Sequence, residues 1–154
     1  MWQSDVRQAT LDEIDELAKL AFEAGEATWR AETFYPACRG DERERVFVCR
    51  ADGAITAYAV MALEVDDCAL YSIAVKPSHR RRGLAQTLFN AGVTWAREAG
   101  RKRCLLEVRV SNTNAIQLYE KLGFKRDGIR KNYYPTQTSK REDALLMSLN
   151  LENQ

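Results

Sequence analysis

Apolar residues recur along this chain at two spacings, and the switches between them predict its elements. Leu11, Ile14, Leu17, Ala18, Ala21 and Phe22 fall at helical spacing. Thr10-Leu11-Asp12-Glu13 reads as a capping box in front of them, and Gly25 ends the helix near Ala24. Residues 5–9 form a short strand before it. Residues 46–50 and 55–63 read as a hairpin across Ala51-Asp52-Gly53, and residues 68–75 return as the third strand of an antiparallel meander. Leu84, Leu88, Ala91 and Trp95 then mark the inner face of a helix that follows Gly83 and stops at Gly100. Residues 103–109 form a strand whose Cys104-Leu105-Leu106 run implies burial on both faces. Ser111-Asn112-Thr113 caps a further helix with Ala115, Ile116, Tyr119 and Leu122 inward, and Gly123 stops it. Residues 124–134 and 144–149 read as a last strand pair with a long connection. Residues 27–45 carry the weakest pattern. Trp29, Phe34 and Tyr35 suggest a short helix, followed by a turn at Pro36 and a loop holding Cys38.

The strand–Gly83–helix–strand unit needs a crossover, so its two strands are parallel. Joined to the meander, they give a mixed, mostly antiparallel sheet with helices on both faces, an α/β (α+β) fold. A chain of 154 residues with no internal repeat or linker suits a single domain over residues 1–154. The balance of 45% apolar and 29% charged residues places it among globular proteins. A net charge of only +1 argues against direct, charge-driven nucleic-acid binding. No apolar run reaches the length of a membrane span. The start, Met1-Trp2-Gln3-Ser4-Asp5, lacks the basic and apolar regions of a signal peptide, so a cytoplasmic protein is expected. Cys38, Cys49, Cys68 and Cys104 form no C-x-x-C pair, and the single His79 completes no zinc set, so no metal is expected.

The candidate chemistry starts at residues 71–85. An apolar strand ending Ile73-Ala74-Val75 meets a basic turn, Arg80-Arg81-Arg82, and Gly83-Leu84-Ala85-Gln86 opens a helix. Backbone N–H groups at a helix start lack internal partners and face outward under the positive end of the dipole. Gly83 lets a ligand approach that backbone, and the arginines suit phosphate oxygens. Farther on, Glu107 interrupts an apolar strand. A buried carboxylate costs several kcal/mol by rough estimate unless paired, so an ion pair with an arginine or exposure at a strand end is the plain alternative. For Tyr119, on an inner helix face, the plain alternative is core packing.

Arg80-Arg81-Arg82-Gly83-Leu84-Ala85 after that strand resembles the acyl-CoA pyrophosphate loop of the GCN5-related N-acetyltransferases. The block from Leu106-Glu107-Val108-Arg109 through Asn112, Tyr119 and Gly123-Phe124 is similar to the part of that family that surrounds the cofactor thiol. Asn132-Tyr133-Tyr134-Pro135 and Arg141-Glu142-Asp143-Ala144 narrow the resemblance to the branch that acetylates protein N-termini, bacterial ribosomal-protein-alanine acetyltransferases included. The resemblance covers residues 69–149. It is loose over the first 68, where Ala-Thr-Trp-Arg at residues 27–30 departs from the branch's pattern.

The resemblance implies an acetyl-CoA-dependent enzyme in which two parallel strands splay apart. Backbone groups of Ile73, Ala74 and Val75 would pair with the pantetheine arm, and residues 80–86 and Asn112 would hold the cofactor. Glu107 would be the base, Tyr119 the acid, and Tyr133 and Tyr134 would bind the acceptor. The implied acceptor is a protein N-terminus, such as the N-terminal alanine of a small-subunit ribosomal protein, and the enzyme a monomer or weak dimer. Freeing an α-amine at pH 7 costs about 1 kcal/mol, against about 4.6 kcal/mol for a lysine. Both acceptor classes remain open on residues alone, as does an idle acyl-CoA-binding module.

Overall fold

The computed structural model describes residues 5–152. Glu13 accepts the Thr10 N–H at 2.9 Å, so the capping box forms as the sequence predicts. A 3-10 turn over Leu11–Glu13 runs into α1 (Ile14–Glu23), and Gly25 leaves it in the left-handed region, with φ of 89°. Leu17, Leu20 and Ala21 face inward. Leu11 and Phe22, expected inward, are exposed. The tighter 3-10 turn rotates Leu11 off the α-helical stripe, and Phe22 lies about 100° round the helix from Ala21. α2 (Ala31–Cys38) contains Pro36 instead of stopping there. The missing N–H costs only one bond so near the helix end. Cys38 is therefore a buried helical residue, not a loop residue.

The strands are β1 (Val6–Gln8), β2 (Glu44–Ala51), β3 (Ala54–Leu63), β4 (Cys68–Val75), β5 (Arg103–Arg109), β6 (Lys125–Pro135) and β7 (Arg141–Asn150). They form one sheet in the order β1-β2-β3-β4-β5-β7-β6. Every neighbouring pair is antiparallel except β4 and β5. The connection between β6 and β7 is shorter than expected. Arg141 donates to the carbonyls of Asn132 and Tyr133 at 2.9 and 2.7 Å and carries the pairing to the turn.

α3 (Leu84–Glu98) crosses between the parallel strands, and α4 (Thr113–Lys121) follows β5. Leu88, Phe89 and Ile116 bury one face of the sheet, while Leu17 and Phe34 from α1 and α2 cover the other. Packing is close where Gly92 of α3 meets β3, since a Cβ there would collide with Met61 Sδ. The strand buried on both faces is β3, not β5. Cys104, Leu106 and Val108 are buried, whereas Leu105 is half-buried and Glu107 exposed. The core under α1 and α2 draws its sheet residues from β2, β3 and β4 and leaves that face of β5 uncovered.

β4 and β5 pair only at Cys68↔Cys104 and Ala69↔Leu105, then diverge. β4 stays on β3 as far as Val75↔Ala57, and β5 stays on β7 as far as Arg109↔Ala144. A wedge thus opens in mid-sheet, and the predicted splay is present.

A charge cluster locks the first corner. Glu13 is 6% exposed and accepts from Arg7 at 2.9 and 2.5 Å and from Arg50 at 3.1 and 2.8 Å. These bonds, the Arg7 bond foremost, hold its carboxyl far below the usual range. Glu13→Gln is expected to cost about 2–3 kcal/mol at neutral pH, because it takes the charged partner from Arg7 and one of two carboxylates from Arg50, both guanidinium groups being partly solvated. A folded pKa below the unfolded one gives stability that is present above the unfolded value, about 4.3, and lost as pH falls further. Urea unfolding should therefore show a gap between the two proteins at neutral pH that narrows steadily below about pH 4.

Candidate active site

β4 leads through the 3-10 turn Pro77–His79 to Gly83, the N-cap of α3. Gly83 and Arg81 both take the left-handed conformation, with φ of 75° and 66°, so the chain turns sharply into the helix. The first bond back is Thr87 N–H to Gly83 O at 3.0 Å. The N–H groups of Leu84, Ala85 and Gln86 precede the first helical donor, Thr87, and point out of the helix start. A Cβ added at Gly83 would have nothing within 4 Å, so the approach is open. Arg80, Arg81 and Arg82 are exposed around it. Arg80 Nε donates to Val75 O at 3.4 Å and ties the loop to the end of β4, while Gln86 bonds Asn90 Oδ1 at 2.8 Å. The arrangement can cradle phosphate oxygens at the mouth of the wedge.

Ile73, Ala74 and Val75 lie where β5 has swung away, so their β5-facing edge has no ladder. A bulge precedes them. Val60 pairs with Ser72 and Met61 with Leu70, which leaves Tyr71 as the extra residue with its ring turned outward. Beside it a cleft of about 390 Å³ opens. It is lined by Ala69, Leu105 and Glu107 of the sheet, by Trp29 and Tyr71, and by Tyr133 and Tyr134.

The tyrosine pair is held by a second irregularity. Arg130 pairs with Ala144 but Tyr134 already pairs with Glu142, so three residues of β6 face one of β7. Asn132 takes φ of 53° there and donates its N–H to Asp143 Oδ1 at 2.9 Å. The two rings meet edge-on at 4.9 Å. Arg109 lies over Tyr134 at 4.5 Å and Arg130 over Tyr133 at 4.8 Å.

Glu107 is not the buried carboxylate that its apolar neighbours suggest. Its side chain is 34% exposed and pairs with Arg130 at 3.4 Å, so the ion-pair alternative holds for its ground state. It also lines the cleft and is reachable from it. Glu107 raises the Tyr133 hydroxyl above its usual value, and burial, helped by Glu107, raises that of Tyr134. Tyr119 is 5% exposed and packs against Phe124. Burial first, then the charge of Glu26, then Tyr134, push its hydroxyl well above the usual phenol range. The hydroxyl makes no hydrogen bond among the described residues. Asn112 is the N-cap of α4, its Oδ1 accepting from Ala115 N–H at 3.2 Å.

Of the expected residues the cleft brings together Glu107, Tyr133 and Tyr134, and it adds Trp29 and Tyr71, whereas Tyr119 and Asn112 are not in its lining. Tyr71 was visible only as a member of an apolar strand.

A helix start with open N–H groups, an unpaired strand edge and a cleft lined by a carboxylate and two tyrosines stand in one sheet, and the chain belongs to the acetyltransferase (GNAT) family, which it matches over residues 11–124. Among its relatives is the [ribosomal protein bS18]-alanine N-acetyltransferase of Escherichia coli strain K12, 40% identical over 121 residues, which are 79% of this chain and 80% of the relative. The crystal structure of the ribosomal-protein-S18-alanine N-acetyltransferase from Escherichia coli superposes with a TM-score of 0.80 at 34% identity, over 97% of this chain and 94% of that one. The PaiA N-acetyltransferase of Thermoplasma acidophilum, solved with coenzyme A, shares the fold at 15% identity, with a TM-score of 0.71 over 97% and 99% of the two chains.

Proposed function

We propose that this enzyme transfers acetyl from acetyl-CoA to the free α-amine of a protein N-terminus, with the N-terminal alanine of a small-subunit ribosomal protein as the acceptor. The observation that carries this is the cleft itself. The paired rings of Tyr133 and Tyr134 line one cleft with Glu107, Trp29 and Tyr71, an aromatic lining around a carboxylate that suits the first residues of a peptide. The names of its relatives support the same acceptor.

Bound acetyl-CoA supplies the activated acyl group. Residues 80–86 hold its pyrophosphate, the free edge of Ile73, Ala74 and Val75 pairs with its pantetheine arm, and Asn112 contacts it. Their open backbone groups are what such a ligand requires. A strand N–H aimed at the thioester oxygen favours the charge that develops there. Glu107 takes a proton from the acceptor nitrogen, directly or through water, and Tyr119 gives one to the departing thiolate. In this reading the chain is one catalytic domain. It works in the cytoplasm as a monomer or weak dimer, without a metal and without direct contact to nucleic acid or membrane.

CoA release should be followed with alanine-starting peptides, blocked lysine peptides and polyamines as acceptors. The peptides with a free N-terminus are expected to turn over fastest. Preference for lysine or polyamine would reject the acceptor assignment. Tyr134→Ala should raise the peptide KM about tenfold or more and leave that for acetyl-CoA nearly unchanged, as loss of a ground-state contact does. An unmoved peptide KM would return the tyrosines to plain packing.

A further inference from the structure

Each tyrosine of the cleft pair is faced by an arginine, and the two arginines are held differently. Arg109, over Tyr134, is tied into the fold. Its Nη1 donates to Pro135 O at 3.0 Å and to Glu142 Oε1 at 3.4 Å, and the other oxygen of that carboxylate accepts the Ser111 N–H at 2.8 Å. Among the described residues the Arg130 side chain has two partners, the Glu107 carboxylate at 3.4 Å and the Tyr133 ring at 4.8 Å. Both partners line the cleft. Half of the Arg130 side chain is exposed, and an ion pair so open to solvent adds little to stability. The register explains how one side chain reaches both groups. Glu107 of β5 and Gly128 of β6 each pair with Leu146, and Arg130 stands two residues farther along β6. Alternation therefore puts Arg130 on the face that carries Glu107. The bulge that follows, pinned by Asp143 and Arg141, brings the Tyr133 ring against the same guanidinium. Glu107 raises the Tyr133 hydroxyl and Arg130 acts in the opposite sense, as expected where the three groups meet.

We propose that Arg130 is a positioning residue for the acetyl transfer assigned above, fixing the direction of the Glu107 carboxylate and seating the Tyr133 ring with one planar group. This rests on that assignment, and within it on Glu107 as the base. A glutamate side chain turns about several bonds, yet a base takes a proton only from within hydrogen-bond reach. Arg130 Nη1 approaches Glu107 Oε1, so one carboxylate oxygen is held and the other remains for the acceptor amine or a bridging water. A guanidinium suits this double task, because its edge faces a carboxylate while its plane lies on an aromatic ring. A lysine would supply the charge without the plane. Base and acceptor wall are thus set by one side chain. Loss of Arg130 should move kcat and the peptide KM together, whereas loss of Tyr134 moves the peptide KM alone.

The test is a double-mutant cycle on the full chain, read as kcat and KM for an N-terminal peptide. It compares wild type, Arg130→Ala, Glu107→Gln and the two changes combined, with thermal melting and acetyl-CoA affinity measured alongside. Arg130→Ala should lower kcat by about 10–10²-fold, the scale of a misplaced reacting group. It should also raise the peptide KM, with melting and acetyl-CoA affinity unchanged. In the Glu107→Gln chain the same change should lower kcat by no more than about twofold, since no base is left to direct. An equal loss of kcat in both backgrounds, or none in either, overturns the proposal. Arg130→Lys keeps the cation and should regain most of kcat but not the peptide KM. A kcat as low as that of Arg130→Ala would overturn the role given to the charge. Failure of the underlying assignment reads differently. A Glu107→Gln chain as active as wild type rejects the base and the proposal with it, whereas a disabled Glu107→Gln beside a fully active Arg130→Ala rejects the proposal alone. If wild-type enzyme acetylates no N-terminal peptide, the acceptor assignment fails instead, and the same cycle is read on whichever amine it does use.

Discussion

Tyr119→Phe should lower kcat by roughly 10²–10⁴-fold while acetyl-CoA affinity stays nearly constant. The change removes one oxygen from a buried residue. That hydroxyl has no hydrogen-bond partner among the described residues, so its loss leaves no stranded group and the packing on Phe124 survives. An interaction made only as the thiolate departs appears in kcat and not in ground-state binding. A thioester with a more acidic thiol needs less protonation and should partly restore this variant. Glu107→Gln, which removes a proton acceptor, should lose a similar factor and gain nothing from the better leaving group. Steady-state kinetics with two thioesters separates the roles, and an equal rescue of both variants would reject the assignment of acid to Tyr119.

The second large effect is expected at Gly83. Gly83→Asp sets a carboxylate beside the N–H groups of Leu84, Ala85 and Gln86, where phosphate oxygens would otherwise sit. Self-satisfaction of that helix start and like-charge repulsion act in the same direction. Acetyl-CoA affinity should fall by about 10²-fold or more, a loss near 3 kcal/mol. The fold should hold, since a Cβ at Gly83 meets nothing within 4 Å and aspartate is among the residues that tolerate a left-handed φ. Calorimetric titration reads the affinity directly, and an unchanged value would move the cofactor to another part of the surface.

What the sequence displays and what it conceals divide along physical lines. Gly83, Gly100 and Gly123 mark helix ends because each takes a backbone conformation that few other residues reach. The strand at 68–75 was legible to its last residue, being an apolar run closed by proline. The environment of Glu107 was not. An apolar run shows what could be buried, but whether it is buried depends on where α1 and α2 come to rest, and that is a tertiary matter. Tyr133 and Tyr134 could be picked out by resemblance, but the bulge that turns them over the cleft depends on Asp143 across the ladder.

The wedge also bears on how this sheet avoids sticking to its own copies. Unpaired strand edges are templates for aggregation, and this molecule has four: the two rims and the two inner edges bared between β4 and β5. One rim, β1, is three residues long, too short to template a ladder. The other, β6, carries Lys125, Arg126, Arg130 and Lys131, all exposed, and is broken by its bulge. The inner edges face each other across a gap closed at Cys68 and Cys104, so a foreign strand cannot lie along either for its full length. The opening that a slender ligand can thread is thereby kept from becoming a site of fibril growth.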